Sequence, residues 1–403
     1  MDTLLTDEQE MVRDMARNFL ENACDTKLVR KMETDALGYC PELWQKSVDL
    51  GWQGMLLPEE YGGSGLPLVY LGIVLQEVGR ALAPIPLHST VSAAATIAES
   101  ASAQMRNAIL PCVADGSSIL TFATEESDPL LGAAGVQLIA QQDGDGFLLN
   151  GTKTFVDNFV AAKHCIVLCR TMAGSTGKEG LSLLLVDTDA EGITQTPLVT
   201  TAKDKQSAVA FENTHVPSGN LIGELHQGWA IAERMIDRAT ALLCAQMMGA
   251  SRKDAEMAFE YAKMREAFGQ PIGSFQSIQH MCADMIIWID GGDLLTFEAL
   301  WKMDEGLPYQ VEVSQAKSFC NEKALAAGRC AQIIHGGIGF MMELDLHLWY
   351  RRIASWTMRL GTTYTHRARI AGALIDTPGK VMLGRPLPGT DEVAAPDGLR
   401  RSA

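Results

Sequence analysis

The sequence predicts a mainly α-helical protein with a β-domain set in the middle of the chain, and three changes of pattern carry that prediction. Apolar residues recur at helical spacing from Thr6 to about Ser118, short apolar or alternating runs divided by turns occupy 119–224, and the helical period returns after Gly228 and lasts to about Leu374. The expected division is a helical domain at 1–118, a β-domain at 119–224, a helical bundle at 225–383 and a tail at 384–403, whose prolines, glycines and charges predict mobility. At 403 residues and 47% hydrophobic, the chain can bury a large core shared among two or three such units.

The first helix is announced by Thr6, with an acidic first turn and Gln9 three residues on, the spacing of a capping box; Met11, Met15 and Phe19 then recur every four residues. Further helices are expected after Pro41 and after Pro67, separated by the turn Pro58-Glu59-Glu60-Tyr61-Gly62-Gly63-Ser64-Gly65. Strands are expected at Val136 to Ala140, Phe147 to Leu149, Lys153 to Val156, Cys165 to Cys169, Leu181 to Val186 and Ser207 to Phe211. Asp143-Gly144-Asp145-Gly146 has the composition of a hairpin turn; its paired aspartates also suit calcium, but the later ligands of an EF-hand loop are missing. Ala255, Ala258, Phe259 and Ala262 mark one face of a long helix, and Phe275 to Trp288 begins another behind the break at Pro271-Ile272-Gly273-Ser274.

Forty-nine acidic against 33 basic side chains give a net charge of -16, which repels phosphate backbones and anionic membranes, so nucleic acid and membrane are not expected partners. The N-terminus is acidic and polar instead of basic then apolar, and no apolar run reaches membrane-spanning length, which predicts a cytoplasmic protein. Nine cysteines without a CxxC pair argue against a secreted disulfide framework; Cys165 and Cys169, four apart on one strand face, are expected to be packing residues.

The chemistry-bearing blocks are Leu149-Asn150-Gly151-Thr152-Lys153, His215-Val216-Pro217 with Gly223-Glu224, Tyr261 to Ile272 containing Arg265-Glu266-Ala267-Phe268-Gly269, Phe275-Gln276-Ser277-Ile278-Gln279-His280, and His335-Gly336-Gly337-Ile338-Gly339-Phe340. Together with Tyr350-Arg351-Arg352 and Leu360-Gly361-Thr362, they resemble in order the motifs of the acyl-CoA dehydrogenase family, over nearly the whole chain. That resemblance implies the acyl-CoA dehydrogenase fold, with a helical domain, a β-barrel-like domain and a C-terminal four-helix bundle that also forms the oligomer core. It implies FAD as cofactor and α,β-dehydrogenation of an acyl-CoA thioester. In the family a carboxylate takes the α-proton, the β-hydrogen moves as hydride to flavin N5, and the electrons leave to an electron-transfer flavoprotein.

By the same resemblance, Arg265 pairs with the pyrophosphate of a flavin held mainly by a neighbouring subunit, a task suited to its planar donor fork. Phe268, Ile272, Phe275, Gln276 and Ile278 surround adenine, and Gly336 and Gly337 permit close backbone approach. Taken without the resemblance, Phe268 and Ile278 are ordinary core-formers. Thr124, Phe155 and Thr362 fall at the flavin end, and Gln332 stands beside Ile333, which occupies the family's usual glutamine position.

Here the sequence departs from the family. The Thr-Glu-Pro-x-Ala-Gly-Ser-Asp loop is shortened to Thr124-Glu125-Glu126-Ser127-Asp128, Trp-Ile-Thr becomes Phe155-Val156-Asp157, and Tyr364 replaces a polar flavin contact. An aspartate beside flavin N5 adds negative charge where reduced flavin gathers it. The base is missing from both of its familiar places: Leu360 stands where the family has the glutamate of Glu-Gly-Thr, and Ala239 fills the alternative position. The chain is most similar to the base-lacking subunits of bacterial heterotetrameric acyl-CoA dehydrogenases, several of which act on steroid side-chain thioesters. That implies a homologous, glutamate-bearing partner in an α2β2 complex. Two other readings stay open: a scaffold subunit without catalytic part, and a self-sufficient flavin oxidase or monooxygenase using Asp157.

Two further constellations are weak. Glu343, Asp345 and His347 alternate as metal ligands do but lack further clustered histidines, and Glu125, Glu126 and Asp128 read as solvated loop charges more readily than as acid–base groups.

Overall fold

The computed structural model describes residues 4–127 and 132–375. Asp128 and the 384–403 tail lie outside the described residues. The chain opens with α1 (Asp7–Ala23), α2 (Thr26–Thr34), α3 (Pro41–Asp49), α4 (Leu68–Ala81), α5 (Leu87–Ser100) and α6 (Ala103–Ala114). The capping box forms in both directions, Gln9 N–H donating to Thr6 Oγ1 at 3.3 Å and Thr6 N–H to Gln9 Oε1 at 3.0 Å. The buried stripe of α1 is not the Met11–Met15 line, however. Met11 and Met15 are 71% and 43% exposed, whereas Ala16 and Leu20 are buried, because the i, i+4 pair on the side facing α4 takes the core.

The β-domain comprises β1 (Leu120–Ala123), β2 (Ile139–Asp143), β3 (Gly146–Asp157), β4 (His164–Arg170), β5 (Leu181–Asp187), β6 (Ile193–Leu198), β7 (Gln206–Pro217) and β8 (Leu221–Ile222), in the order β6-β7-β3-β2-β4-β5-β8 with β1 parallel to β4. The expected hairpin closes at Asp143 opposite Gly146. The runs at 147–149 and 153–156 are one strand: Gly151 at φ +138° and register shifts against β7 let β3 pass through the polar Asn-Gly-Thr segment without a turn. The run from Val136 begins as loop, since the amides of Gln137 and Leu138 bond to the Glu126 carboxylate instead of to a strand. Cys165 and Cys169 are fully buried on β4, where burial raises both thiols, and all nine cysteines are free.

The chain ends in α7 (Trp229–Met264), the short hairpin of β9 (Glu266–Ala267) and β10 (Gln270–Pro271), α8 (Gln276–Asp304), α9 (Gln310–His335), α10 (Leu346–Trp356) and α11 (Thr363–Ile375). No helix among the described residues is long and apolar enough to cross a membrane. Helix α7 crosses α4 at backbone contact: a Cβ on Gly249 would lie 1.8 Å from the Gln76 carbonyl oxygen, and one on Gly79 would lie 1.9 Å from that of Gln246. Two facing glycines therefore fix how the N-terminal helices sit on the bundle.

Candidate functional site

The predicted residues fall into two groups. The first surrounds Leu360, between α10 and α11. Leu360 is 7% exposed and holds φ +54°, a left-handed backbone that is unfavourable for leucine, followed by Gly361 at φ +98°. His366 on α11 fixes this turn, its ring Nε2 donating to the Leu360 carbonyl at 2.9 Å; burial lowers His366 to about 4, so it is neutral. Thr362 is spent as a helix cap, its hydroxyl accepting from Thr365 N–H at 3.4 Å. Leu360 divides two spaces. On one side lies a cavity of about 450 Å3 bounded by Thr124, Trp229, Ile236, Asp237 and His366; on the other a gap of about 10 Å3 is enclosed by Thr124, Phe155, Asp157 and Arg359.

Every described carboxylate that lines these two spaces near Leu360 already has a partner. Asp237, 1% exposed, receives both guanidinium nitrogens of Arg369 at 2.7 and 3.1 Å, which oppose the rise that burial gives its pKa. Asp157 forms a direct ion pair with Arg359, so it is not the free charge that its sequence position suggests. Glu125 accepts from the Leu360 backbone N–H and faces Arg359; burial raises its pKa and the guanidinium opposes that rise. The reading of Glu125 and Glu126 as solvated charges is therefore corrected. Glu126 binds the fully buried Lys153 ammonium at 2.7 Å and takes two backbone amides, because a buried ammonium needs a carboxylate beside it. Ala239 is wholly buried on α7, and its carbonyl lies 2.8 Å from the His88 ring.

The second group stands at the far end of α7 and faces outward. Arg265 is exposed and makes no ion pair among the described residues, and Phe268, at φ +55°, is 96% exposed at the tip of the β9–β10 hairpin. Phe275 meets Phe268 edge to face with centroids 6.2 Å apart, while Ile272 and Ile278 are half-buried and Gln276 is exposed. Gly336 and Gly337 are open, with nothing within 4 Å of a Cβ placed on either. Gln332 does not join them. It is 4% exposed and points inward, while Ile333 is 61% exposed, since one helical step of about 100° separates the two side chains.

Arg359 was not singled out in the sequence, although it adjoins Leu360; the acidic residue at 157 and the basic one at 359 were the available signal. The alternating Glu343, Asp345 and His347 do not form a ligand set: Arg30 pairs with Asp345 at 2.7 Å, and Arg351 donates to His347 at 3.1 Å.

Helices, sheet and bundle in this order, with an open cavity against the sheet, make up the acyl-CoA dehydrogenase fold. The N-terminal, middle and C-terminal domains of acyl-CoA dehydrogenases match residues 6–117, 121–214 and 226–375. The chain belongs to the acyl-CoA dehydrogenase family, whose cofactor is FAD. It is 31% identical over 384 residues to the probable acyl-CoA dehydrogenase YngJ of Bacillus subtilis, covering 92% of this chain and 99% of that protein. Among solved structures, a variant of the Tcur3481-Tcur3483 steroid ACAD aligns with a TM-score of 0.82 at 30% identity, covering 91% of this chain and 97% of that one. The ChsE4-ChsE5 complex from Mycobacterium tuberculosis aligns at 0.86 and 25% identity, covering 94% and 100%.

Proposed function

We propose that this chain is the base-lacking subunit of a hetero-oligomeric FAD-dependent acyl-CoA dehydrogenase that introduces an α,β double bond into an acyl-CoA thioester, with a steroid side-chain thioester as the substrate class. The observation that carries this reading is Leu360: a hydrocarbon holds the strained turn of the base position, and the carboxylates lining the spaces around it are already paired. Strained backbone persists where the surrounding structure enforces it, so the turn outlasts the group it would aim. Similarity to two assemblies of paired proteins, the Tcur3481-Tcur3483 steroid ACAD and the ChsE4-ChsE5 complex, supports a homologous, glutamate-bearing partner in an α2β2 complex.

The two halves of the FAD site fit differently. Arg265, Phe268, Ile272, Phe275, Gln276, Ile278, Gly336 and Gly337 present a guanidinium that is unpaired among the described residues, apolar side chains and open backbone, and they would hold the adenosine-diphosphate end. Thr124, Phe155 and Thr362 do not complete a flavin face, because Asp157 and Arg359 stand bonded between them and Thr362 caps a helix. When bound in the family, FAD supplies the hydride acceptor. This chain's part is to anchor the pyrophosphate through Arg265 and to exclude water around the partner's site; the α-proton goes to the partner's glutamate, and electron-transfer flavoprotein takes the electrons. Asp157 is held by Arg359, which removes the feature favouring a self-sufficient oxidase. The purified single chain is expected to be inactive toward acyl-CoA thioesters and to gain about 10²- to 10⁴-fold on co-expression with a glutamate-bearing homologue, the contribution of a positioned base. Full turnover by the single chain, with no partner seen by mass spectrometry, would reject the reading.

A further inference from the structure

Asp157 and Arg359 do more than fail to bind a flavin. Asp157 ends β3, where its carbonyl accepts from the Thr121 hydroxyl at 2.6 Å, so the strand end is tied to β1. Arg359 sits on the turn after α10, beside Leu360. The direct ion pair between them joins the sheet to the last helices, and both side chains are nearly enclosed, at 14% and 12% exposure. Asp204 stands 4.0 Å from the same guanidinium, and Glu125 faces it from the loop after β1, so Arg359 is the cation at the centre of three carboxylates.

The closure is local. The gap between Phe155, Asp157, Arg359 and Leu360 measures about 10 Å3, room for about one water. Across Leu360 the larger cavity stays open at about 450 Å3. A ring system entering beside Phe155 would have to part a buried ion pair and strand the Asp157 carboxylate, a strongly unfavourable exchange. We infer that the Asp157–Arg359 contact is an internal closure that occupies this subunit's own flavin face and so fixes which faces of the complex carry flavin. The inference rests on the partner reading above and adds to it the residues that set the flavin content.

One substitution alone does not open the face. Asp157→Thr leaves Arg359 held by Asp204 and Glu125, and Arg359→Tyr leaves three carboxylates crowded without their cation. The test is therefore the double variant Asp157→Thr with Arg359→Tyr, co-purified with the partner, saturated with FAD and compared with the parent complex by flavin absorbance per mole of protein. The expected ratio moves toward twice the parent's, whereas Asp157→Glu, which keeps the pair, stays at the parent value. A double variant that assembles with the parent's ratio overturns the closure and leaves the partner reading intact. If the double variant does not assemble, the milder double variant Asp157→Asn with Arg359→Gln removes both charges and keeps similar side-chain lengths. Additional FAD uptake by that complex in a fluorescence titration supports the closure, and none at saturation overturns it. A parent chain that purifies alone with a full complement of flavin overturns the partner reading itself.

Discussion

The β9–β10 hairpin and the turn at Leu360 treat charge in opposite ways. At the hairpin, Arg265 and Phe268 project into solvent with the guanidinium unpaired among the described residues, an arrangement that gives the isolated chain no stability and needs an external counterpart to make sense of it. At Leu360, Arg359, Asp157, Asp237 and Arg369 neutralise one another inside the chain. Buried charges are tolerated when paired, and exposed apolar tips mark contact surfaces. The same fold therefore holds one region that leaves its charge and apolar tip open and one that pairs its charges internally.

The largest effect on this contrast is expected from Gly249→Ala, because α7 carries the hairpin at its end and part of the Leu360 cavity wall near its start. The new methyl would meet the Gln76 carbonyl, and overpacking of this kind costs about 3 kcal/mol, read as a lowered thermal midpoint with both regions lost together. Next in size is Arg265→Ala in the assembled complex. Loss of a charge-assisted contact of about 1.5–3 kcal/mol should weaken FAD binding about tenfold or more without changing the unfolding midpoint of the flavin-free protein. Unchanged flavin content at limiting FAD would mean that the hairpin serves another purpose.

A smaller effect separates these paired charges from one that is unpaired. Asp254, on α7 beside Gly328, is fully buried with neither carboxylate oxygen hydrogen-bonded among the described residues, and burial raises its pKa well above the ordinary value. A raised folded-state pKa means that the folded protein holds the proton when the unfolded chain has released it. Its contribution to stability is thus complete below the unfolded carboxylate range and is lost as pH rises toward the folded pKa. Thermal midpoints measured from acid to neutral pH should fall less steeply in Asp254→Asn than in the parent; identical slopes would show that Asp254 is hydrated.

The smallest change is expected from Leu360→Glu alone. The new carboxylate would enter beside Glu125 and a closed Asp157–Arg359 contact, so turnover and flavin content of the complex should stay at parent values. A doubling of both would leave Leu360 as the single defect.

The helices and the hairpin at Asp143 were legible in the sequence because periodicity and turn composition are local properties. What escaped was set by contacts distant in sequence. Glu125 and Glu126 look like loop charges until Lys153 and Leu360 are placed beside them, and Asp157 looks free until Arg359, some two hundred residues on, is folded against it. The short strands β1, β6 and β8 were missed for the same reason, since pairing partners and not composition make them strands.

Helix α7 also serves as a ruler. Asp237 lines the Leu360 cavity near its start and Arg265 follows its last turn, and that stretch of continuous helix spans roughly 40 Å. No extended dinucleotide bridges such a length, so the arginine that one chain offers cannot reach its own cavity. On the proposed reading, what Arg265 grips has its other end seated in a different polypeptide, and the span of one uninterrupted helix is what would leave a solitary copy of this protein an incomplete enzyme.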